Sequence, residues 1–440
     1  MRLRRWLVPT GILAVMPACG SGTLEPGTII IALLAPPAVT NDGVVELTGL
    51  VTRTPAASGT TIIVTATKSG QVESDTADAS GAFLLTITLT INAENRILVS
   101  ATDESGSTAT PETVVVLHDG QAPRVSASTP ANQADGVTPA SVVVQFDEPV
   151  VPGSAAIAVT QQGAAVAGNA TLSADSRTLT FTPSAALAIN TTYAWTISGA
   201  EDSVGNGQLV PTTQCFVTGG SGIFMVADAA DDVYATAAPP SALVPPDLLQ
   251  IRMARADGMI RTVLQFDSPR SLSATANNTL FAALDFDVDA DSATGFTTVK
   301  DFVFTPNSIL PHSGTGAEYT VWIIPQATAS DSSFAGTYSE PLGGTVTFVF
   351  VPSLCGPLVG IVVPETALGG DVGSSRFVGY VDAYAGSEGY VDPAPDVGFY
   401  TAVLTAATVR GAPPTFGHGR EGSSFTGRFP GRSRLPTLRR

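Results

Sequence analysis

The residues with the clearest metal-binding chemistry are four aspartates, Asp285, Asp287, Asp289 and Asp291. The first three alternate with apolar residues of a predicted strand, and Asp291 extends the row, so the strand period puts the carboxylates on one side. Carboxylates crowded on one side repel one another, and a bound cation relieves that repulsion. Calcium is the expected ion for an oxygen-only ligand set outside the cell. The row therefore predicts a structural calcium site.

Strand geometry limits which of these residues can share an ion. Neighbours on one face of an extended strand lie about 6.6 Å apart, whereas calcium holds its oxygens at about 2.3 to 2.6 Å. The chain must therefore curl after the strand, which favours Asp287, Asp289 and Asp291 as ligands and leaves Asp285 as a further candidate. The segment is no EF-hand, because Ser292 stands where that loop requires glycine. A solvated acidic turn is the alternative.

A second stretch combines aromatic rings with a carboxylate: Tyr380, Tyr384, Tyr390 and Asp392. Rings stack on the apolar faces of sugars, and acids bind their hydroxyls, so these residues predict a ligand-binding surface. The alternative is that the tyrosines are half-buried packing residues of a sandwich.

Signatures of catalysis are missing from the sequence. Its histidines, His118, His312 and His418, fall in a hinge, a predicted loop and the tail, which gives a catalytic triad or a zinc site little to use. We therefore predict that the protein is not an enzyme. A polysaccharide-degrading enzyme with paired carboxylates stays open as an alternative, because their separation is invisible in a sequence.

The elements that must position these residues are predicted to be strands. Only 13% of the 440 residues are charged, and the segments Ile62–Thr67 and Phe83–Ile91 show a period of two, with apolar residues at every second position and mostly threonine between them. At about 100 to 200 residues per domain, the length predicts several domains. The fold class is thus all-β, with tandem sandwiches.

Two segments resemble known modules. Residues 28–119, through Asp78-x-x-Gly81-x-Phe83 and Asp103-x-x-Gly106, resemble bacterial Ig-like modules of cell-surface proteins. Residues 122–219 resemble the SbsA-type Ig-like domain of S-layer proteins through motifs such as Phe146-Asp147-Glu148-Pro149-Val150. Both resemblances imply sandwich spacers without chemistry.

The remaining chain is predicted to be one larger sandwich followed by a tail. Residues 222–410 are weakly similar to DOMON and family-9 carbohydrate-binding sandwiches through the segment 284–289, which contains the aspartate row, followed by Thr294-Gly295. Residues 411–440 lose all periodicity and are rich in glycine, proline, serine and arginine, which predicts a disordered basic tail.

The start of the chain is typical of an exported lipoprotein. Residues 1–19 form a basic start, an apolar run too short to span a bilayer, and Ala18-Cys19. They resemble a lipoprotein signal peptide and lipobox, which implies lipidation of Cys19. Met16 and Pro17 depart from the usual pattern, and an ordinary signal peptide is the alternative. Residues 20–27 would be a flexible tether, and the resemblance implies the outer membrane or the cell surface.

The two remaining cysteines, Cys215 and Cys355, lie far apart in the sequence. They could pair in an exported chain, but two buried free thiols are the prediction. The formal net charge of −17 disfavours nucleic acid as a partner. Together these features predict a non-enzymatic surface lipoprotein whose Ig-like spacers present a C-terminal domain to an extracellular glycan or protein. A calcium-stiffened structural component of the envelope is the alternative.

Overall fold

The computed structural model describes residues 26–404 except 57–58, 236–240, 274, 290, 292–299, 302–307, 310–316, 324–351, 371–373, 386–387 and 395–399. Cys19, the predicted leader and the predicted tail lie outside the described residues. The described part is all-β apart from one short 3-10 helix, as the composition predicted. None of its helices has the length and apolar character that crossing a membrane requires. The chain forms two compact units, one of residues up to Ala122 with Asp202–Gly207, the other of Pro123–Glu201 with everything from Gln208.

The first unit is built from two sheets that enclose one core. Its strands are β1 (Thr28–Leu33), β2 (Val39–Thr40), β3 (Val44–Thr54), β4 (Ile62–Lys68), β5 (Gln71–Thr76), β6 (Ala82–Thr88), β7 (Glu94–Asp103) and β8 (Glu112–His118). One sheet has the order β1-β3-β6 and the other β2-β8-β7-β4-β5. Alternate residues of the strands fill the core, such as Val64, Phe83 and Ile87, which confirms the predicted period. Ile91 is an exception, because β6 ends at Thr88 and leaves that side chain 69% exposed.

Turns of the sequence Asp-x-x-Gly recur in the fold and share one hydrogen-bonding arrangement. Oδ1 of Asp78 accepts the backbone N–H groups of Ser80 and Ala82, and Oδ1 of Asp103 accepts those of Ser105 and Ser107. Each carboxylate thus takes the place of a backbone acceptor inside its own turn. The chain reversals between neighbouring strands are therefore fixed by local sequence.

The N-terminal part of the second unit, from β9 to β17, is a sandwich of two further sheets. Its strands are β9 (Val125–Thr129), β10 (Ala134–Val137), β11 (Val142–Phe146), β12 (Ala156–Gln161), β13 (Ala164–Ala165), β14 (Gly168–Leu172), β15 (Thr178–Pro183), β16 (Thr192–Ser198) and β17 (Thr212–Thr218). The sheet orders are β14-β15-β11-β9 and β10-β17-β16-β12-β13. Trp195 and Phe216 are fully buried at the centre, together with the predicted inward face that starts at Val142.

The remainder of the second unit, which we call the C-terminal sandwich, carries the candidate sites. Its elements are β18 (Phe224–Ala227), β19 (Tyr234–Ala235), β20 (Leu248–Ala256), β21 (Met259–Phe266), β22 (Phe281–Asp287), β23 (Lys300–Asp301), β24 (Ser308–Ile309), β25 (Tyr319–Ile323), β26 (Ser353–Cys355), β27 (Leu358–Pro364), the 3-10 helix η1 (Glu365–Leu368), β28 (Ser374–Ala385), β29 (Glu388–Ala394) and β30 (Tyr400–Val403). One sheet has the order β18-β20-β21-β27-β26. The other has the order β19-β29-β28-β22-β25, with β30 also paired to β28. A single core joins both sheets, with Phe286 and Phe377 in ring contact inside it.

The environment of β22 differs from the sequence prediction. Every residue from Phe281 to Asp287 is buried, including the two carboxylates Asp285 and Asp287. The strand lies inside its sheet between β28 and β25, and both of its faces are covered. The alternation of acidic and apolar residues therefore does not mark a half-exposed strand, and Asp285 and Asp287 are buried in the protein interior, whereas Asp289 and Asp291 are exposed.

The prediction of two free thiols was wrong, because Cys215 and Cys355 form a disulfide. Cys215 lies on β17 and Cys355 ends β26, and the two Cα atoms are 5.5 Å apart. Val217 and Leu358 pack around the bridge. Separation along the chain carried no information here, because the packing of two different sheets brings the cysteines together.

A buried amide holds the same two parts of the second unit together. Nδ2 of Asn190 donates to the carbonyl oxygens of Arg252, at 3.1 Å, and Arg261, at 2.7 Å. These carbonyls belong to β20 and β21. Nearby, the Arg252 guanidinium forms an ion pair with Asp135 at 2.8 Å. The sandwich of β9 to β17 and the C-terminal sandwich are thus joined by covalent, hydrogen-bonded and ionic contacts.

Candidate metal centres

The first candidate centre, here called the strand-end centre, consists of Asp287, Asp289 and Glu318. Each side chain offers a carboxylate oxygen, and these oxygens all lie within 4.8 Å of one another. Asp287 is the last residue of β22, and Glu318 immediately precedes β25. Because the antiparallel register pairs Phe286 with Tyr319, the end of one strand meets the start of the other. Pairing of neighbouring strands therefore assembles this group.

Glu318 is the ligand candidate that sequence analysis missed. Its N–H donates to the carbonyl oxygen of Phe286 at 3.0 Å, and its Oε2 accepts the N–H of Val288 at 2.9 Å. These bonds hold the carboxylate beside the turn that follows β22. The only sequence signal was an acidic residue next to a strand, which does not reveal the strand with which it pairs.

The other two predicted ligands lie outside this group. Asp285 is buried on β22, where its Oδ1 accepts a hydrogen bond from the Thr320 hydroxyl at 2.6 Å. Its pKa is raised to about 6, because the effect of burial exceeds the opposing effect of the Thr320 hydrogen bond. Asp291 is exposed, and its N–H donates to Oδ1 of Asp289 at 2.8 Å. The structure therefore brings together Asp287 and Asp289, with Asp291 supporting the turn through its backbone.

The strand-end centre fits calcium in donor type and charge. Its ligands are all carboxylates, which calcium prefers. The Arg376 guanidinium approaches Oδ2 of Asp287 at 3.7 Å and compensates part of the negative charge of the three carboxylates. A bound divalent cation would neutralise that charge and would connect the turn after β22 to the start of β25.

A second group of carboxylates, here called the crossover centre, consists of Asp228, Asp232 and Asp392. One oxygen from each lies within 4.8 Å of the other two. Asp392 is on β29 and is 0% exposed, and its Oδ2 accepts the N–H of Leu248 at 2.6 Å. The aspartates at 228 and 232 stand on the segment between β18 and β19. This group combines an acidic stretch and a distant aspartate that the sequence did not connect.

The electrostatics of the crossover centre strongly disfavour an isolated charge. The pKa of Asp392 is raised to about 9, mainly by burial and also by the neighbouring carboxylates Asp228, Asp232 and Asp247, while the hydrogen bond from the Leu248 N–H lowers it. Burial likewise raises the pKa of Asp247. Such crowding of acids in a protein interior is costly unless a proton or a cation compensates it.

The predicted sugar-binding residues lie on two neighbouring strands. The backbones of Tyr380 and Tyr384 belong to β28, and those of Tyr390 and Asp392 to β29. The register pairs Tyr390 with Ala383 and Asp392 with Val381. The tyrosine side chains lie outside the described residues, and Asp392 belongs to the crossover centre. The ligand-binding surface therefore stays a prediction.

His118 has a structural role in the first unit. It is buried, and its Nδ1 accepts the N–H of Asn92 at 3.1 Å. His312 and His418 lie outside the described residues. The described histidine thus accepts a hydrogen bond from the turn that contains Asn92.

Comparison with known protein families identifies one domain. Residues 119–218 match the model of a bacterial Ig-like domain, in agreement with the sheets formed by β9 to β17. Residues 119–218 are therefore a bacterial Ig-like domain, whereas the narrower SbsA-type assignment stays a prediction. No curated protein matches the chain.

Comparison with solved structures returns Ig-like and related β proteins at low identity. The methionine-rich copper resistance protein PcoC from Escherichia coli is 18% identical, covers 22% of this chain and 99% of its own, and has a TM-score of 0.20. A structure of a 1.5-MDa bacterial ice-binding adhesin is 13% identical, with 87% and 98% coverage and a TM-score of 0.27. The I9-I11 tandem of titin is 6% identical, with 84% and 97% coverage and a TM-score of 0.25. At these values the likenesses do not bear on function.

Proposed function

We propose that this chain is a non-enzymatic bacterial surface protein in which Ig-like domains act as spacers and present the C-terminal sandwich to an extracellular glycan or protein. In this proposal a lipid on Cys19 anchors the chain to the cell envelope, at the outer membrane or cell surface. The acidic character of the chain, with a formal net charge of −17, disfavours binding to nucleic acid.

The observation that carries the proposal is the attachment of a bacterial Ig-like domain to the C-terminal sandwich. The Cys215–Cys355 disulfide and the Asn190 hydrogen bonds join the two. Disulfides persist in oxidising compartments and are rare in the cytosol, so the bridge supports export. A spacer that is bonded to the domain it carries would hold that domain in a fixed orientation.

The anchoring part of the proposal is tested by metabolic labelling with a fatty acid. We expect the wild-type chain to incorporate label and to fractionate with membranes, and Cys19→Ser to do neither. Ser21→Ala, two residues further on, is the matched control and should label normally. Equal labelling of wild type and Cys19→Ser would refute the lipid anchor at this residue.

The binding part is tested with the exported chain on panels of envelope polysaccharides and surface proteins. Binding that weakens in Tyr380→Ala and Tyr384→Ala, but not in the surface variant Asn169→Asp of the Ig-like domain, would support the predicted ligand surface. Absence of binding across both panels would overturn this part and leave the protein as a structural component.

A second candidate function is a calcium-stiffened structural element of the envelope, which the strand-end centre favours. The three carboxylate oxygens of this centre lie within 4.8 Å of one another. On this proposal calcium raises the unfolding temperature of the second unit and chelation lowers it. Asp289→Ala should reduce that response by the share of the strand-end centre, whereas Asp257→Asn, at an exposed turn of the same sandwich, should keep it in full. Identical melting of wild type and Asp289→Ala, with and without a chelator, would remove the strand-end centre from this role.

A further inference from the structure

The crossover centre lies where the chain passes from one sheet of the C-terminal sandwich to the other. Strand β18 belongs to the five-stranded sheet and β19 pairs with β29 in the opposite sheet. The connecting segment starts with Asp228, whose N–H donates to the carbonyl oxygen of Leu249 at 2.9 Å. Asp392 receives the N–H of Leu248 from the first sheet while standing on the second. Backbone contacts thus bring the carboxylates of both sheets to one point.

Two buried carboxylate oxygens at this point accept no hydrogen bond from the described residues. Within the described part of the chain, Oδ1 of Asp392 has no hydrogen-bond partner, and that residue is 0% exposed. Oδ1 of Asp247 is also without one among the described residues, at 6% exposure, whereas its Oδ2 accepts the N–H of Asp231 at 2.9 Å. A buried acceptor without a donor destabilises the folded state, and more so when the acceptor is charged. Because the fold supplies no donor to either oxygen among the described residues, both oxygens indicate a bound ligand at this position.

We propose that Asp228, Asp232 and Asp392 bind a divalent cation of the calcium class, with Asp247 as a fourth carboxylate beside it. The donor set consists only of oxygens, as hard cations require. The ligand oxygens lie within 4.8 Å of one another, which is about twice the calcium–oxygen distance. One ion can therefore contact all three carboxylates, and water would complete its shell.

The ion would crosslink the two sheets of the C-terminal sandwich. Two of its ligands come from the segment that leaves β18, and the third comes from β29. Binding would replace repulsion among neighbouring acids by attraction to a shared charge. This inference depends neither on surface anchoring nor on the strand-end centre.

The test is a calcium titration by isothermal calorimetry on the chelator-treated exported chain. Wild type is compared with Asp392→Asn and Asp228→Asn, and Asp257→Asn is the control at an exposed turn of the same sandwich. Asp289→Ala distinguishes calcium bound at the strand-end centre from calcium bound at the crossover centre. We expect each of the two crossover variants to bind one calcium ion fewer per chain than wild type, and the control to bind as many as wild type. Unfolding temperatures should show the same loss, as a smaller rise on adding calcium.

The outcomes are distinguishable. If the strand-end centre binds no ion, Asp289→Ala matches wild type while Asp392→Asn still loses one equivalent. If Asp392→Asn fails to fold, Asp228→Asn decides, because that side chain is only half-buried. The proposal would be overturned if the folded crossover variants bound calcium with the stoichiometry and affinity of wild type. It would also be overturned if wild type bound no calcium.

Discussion

Cys215 and Cys355 are bonded to each other although 140 residues separate them in the sequence. The bridge joins β17 of the bacterial Ig-like domain to β26 of the C-terminal sandwich. A crosslink over so long a stretch restricts the unfolded chain strongly, because the entropy lost on closing a loop grows with the length of the loop.

Removing this bridge is expected to destabilise the second unit. In a Cys19→Ser background, the double variant Cys215→Ser, Cys355→Ser should lose about 2 to 5 kcal/mol of unfolding free energy. Denaturant unfolding measures this change. A reducing agent should produce a similar loss in the parent and no further loss in the double variant. Equal stability of the parent in both redox states would show that the bridge does not form.

The Asn190 amide provides a second test of the connection. Asn190→Asp keeps the shape but places a carboxylate against two carbonyl oxygens, so we expect a loss of more than about 3 kcal/mol. Asn190→Ala should cost less, since it removes donors without adding repulsion, although its φ of 47° strains an alanine. Asn169→Asp, at an exposed position, is the control. If Asn190→Asp lowered the unfolding free energy no more than Asn169→Asp does, this result would contradict the hydrogen bonds described for Asn190.

Comparison of Gly81 with Gly70 distinguishes two reasons why a position requires glycine: backbone conformation and lack of space for a side chain. Both have positive φ, +85° and +89°, so alanine at either position should cost about 1 to 2 kcal/mol. At Gly81 the added methyl group would also collide with the carbonyl oxygen of Val51, whereas at Gly70 nothing lies within 4 Å. We therefore expect Gly81→Ala to lower the unfolding temperature more than Gly70→Ala. Equal effects would mean that backbone conformation alone selects glycine in this turn.

The Asp103 carboxylate should make the first unit sensitive to acid. The Ser105 hydroxyl donates to Oδ1 at 2.6 Å and the Arg53 guanidinium to Oδ2 at 2.7 Å. These bonds, that of Ser105 first, lower the pKa of Asp103 from 3.8 to about 2. Because the pKa in the folded state lies below its value in the unfolded state, the stabilisation is present above about pH 4 and is lost as the pH falls toward 2.

Calorimetry from about pH 5, roughly one unit above that window, down to about pH 2, at its lower end, tests this prediction. The unfolding temperature of the first unit should fall less steeply in Asp103→Asn than in wild type. Asp42→Asn, at an exposed position, should follow wild type. A wild-type slope in Asp103→Asn would show that other acids control the response.

The sequence by itself determined the local features of this protein. Strand periods placed Val64, Phe83 and Val142 correctly in their cores, because alternation is a property of each strand. The Asp-x-x-Gly turns were also evident, since each carboxylate binds N–H groups within a few residues of itself. The predicted bacterial Ig-like character of the second segment agrees with its family match.

Only the tertiary structure decided which distant residues meet. It buried both faces of β22, placed Glu318 beside Asp287, bonded Cys215 to Cys355, and brought Asp392 to the segment after β18. Each of these contacts depends on which strands pair or which sheets pack, and neither choice is written in the period of a single strand. Local sequence therefore fixed the strands and turns, whereas long-range packing created the candidate metal centres.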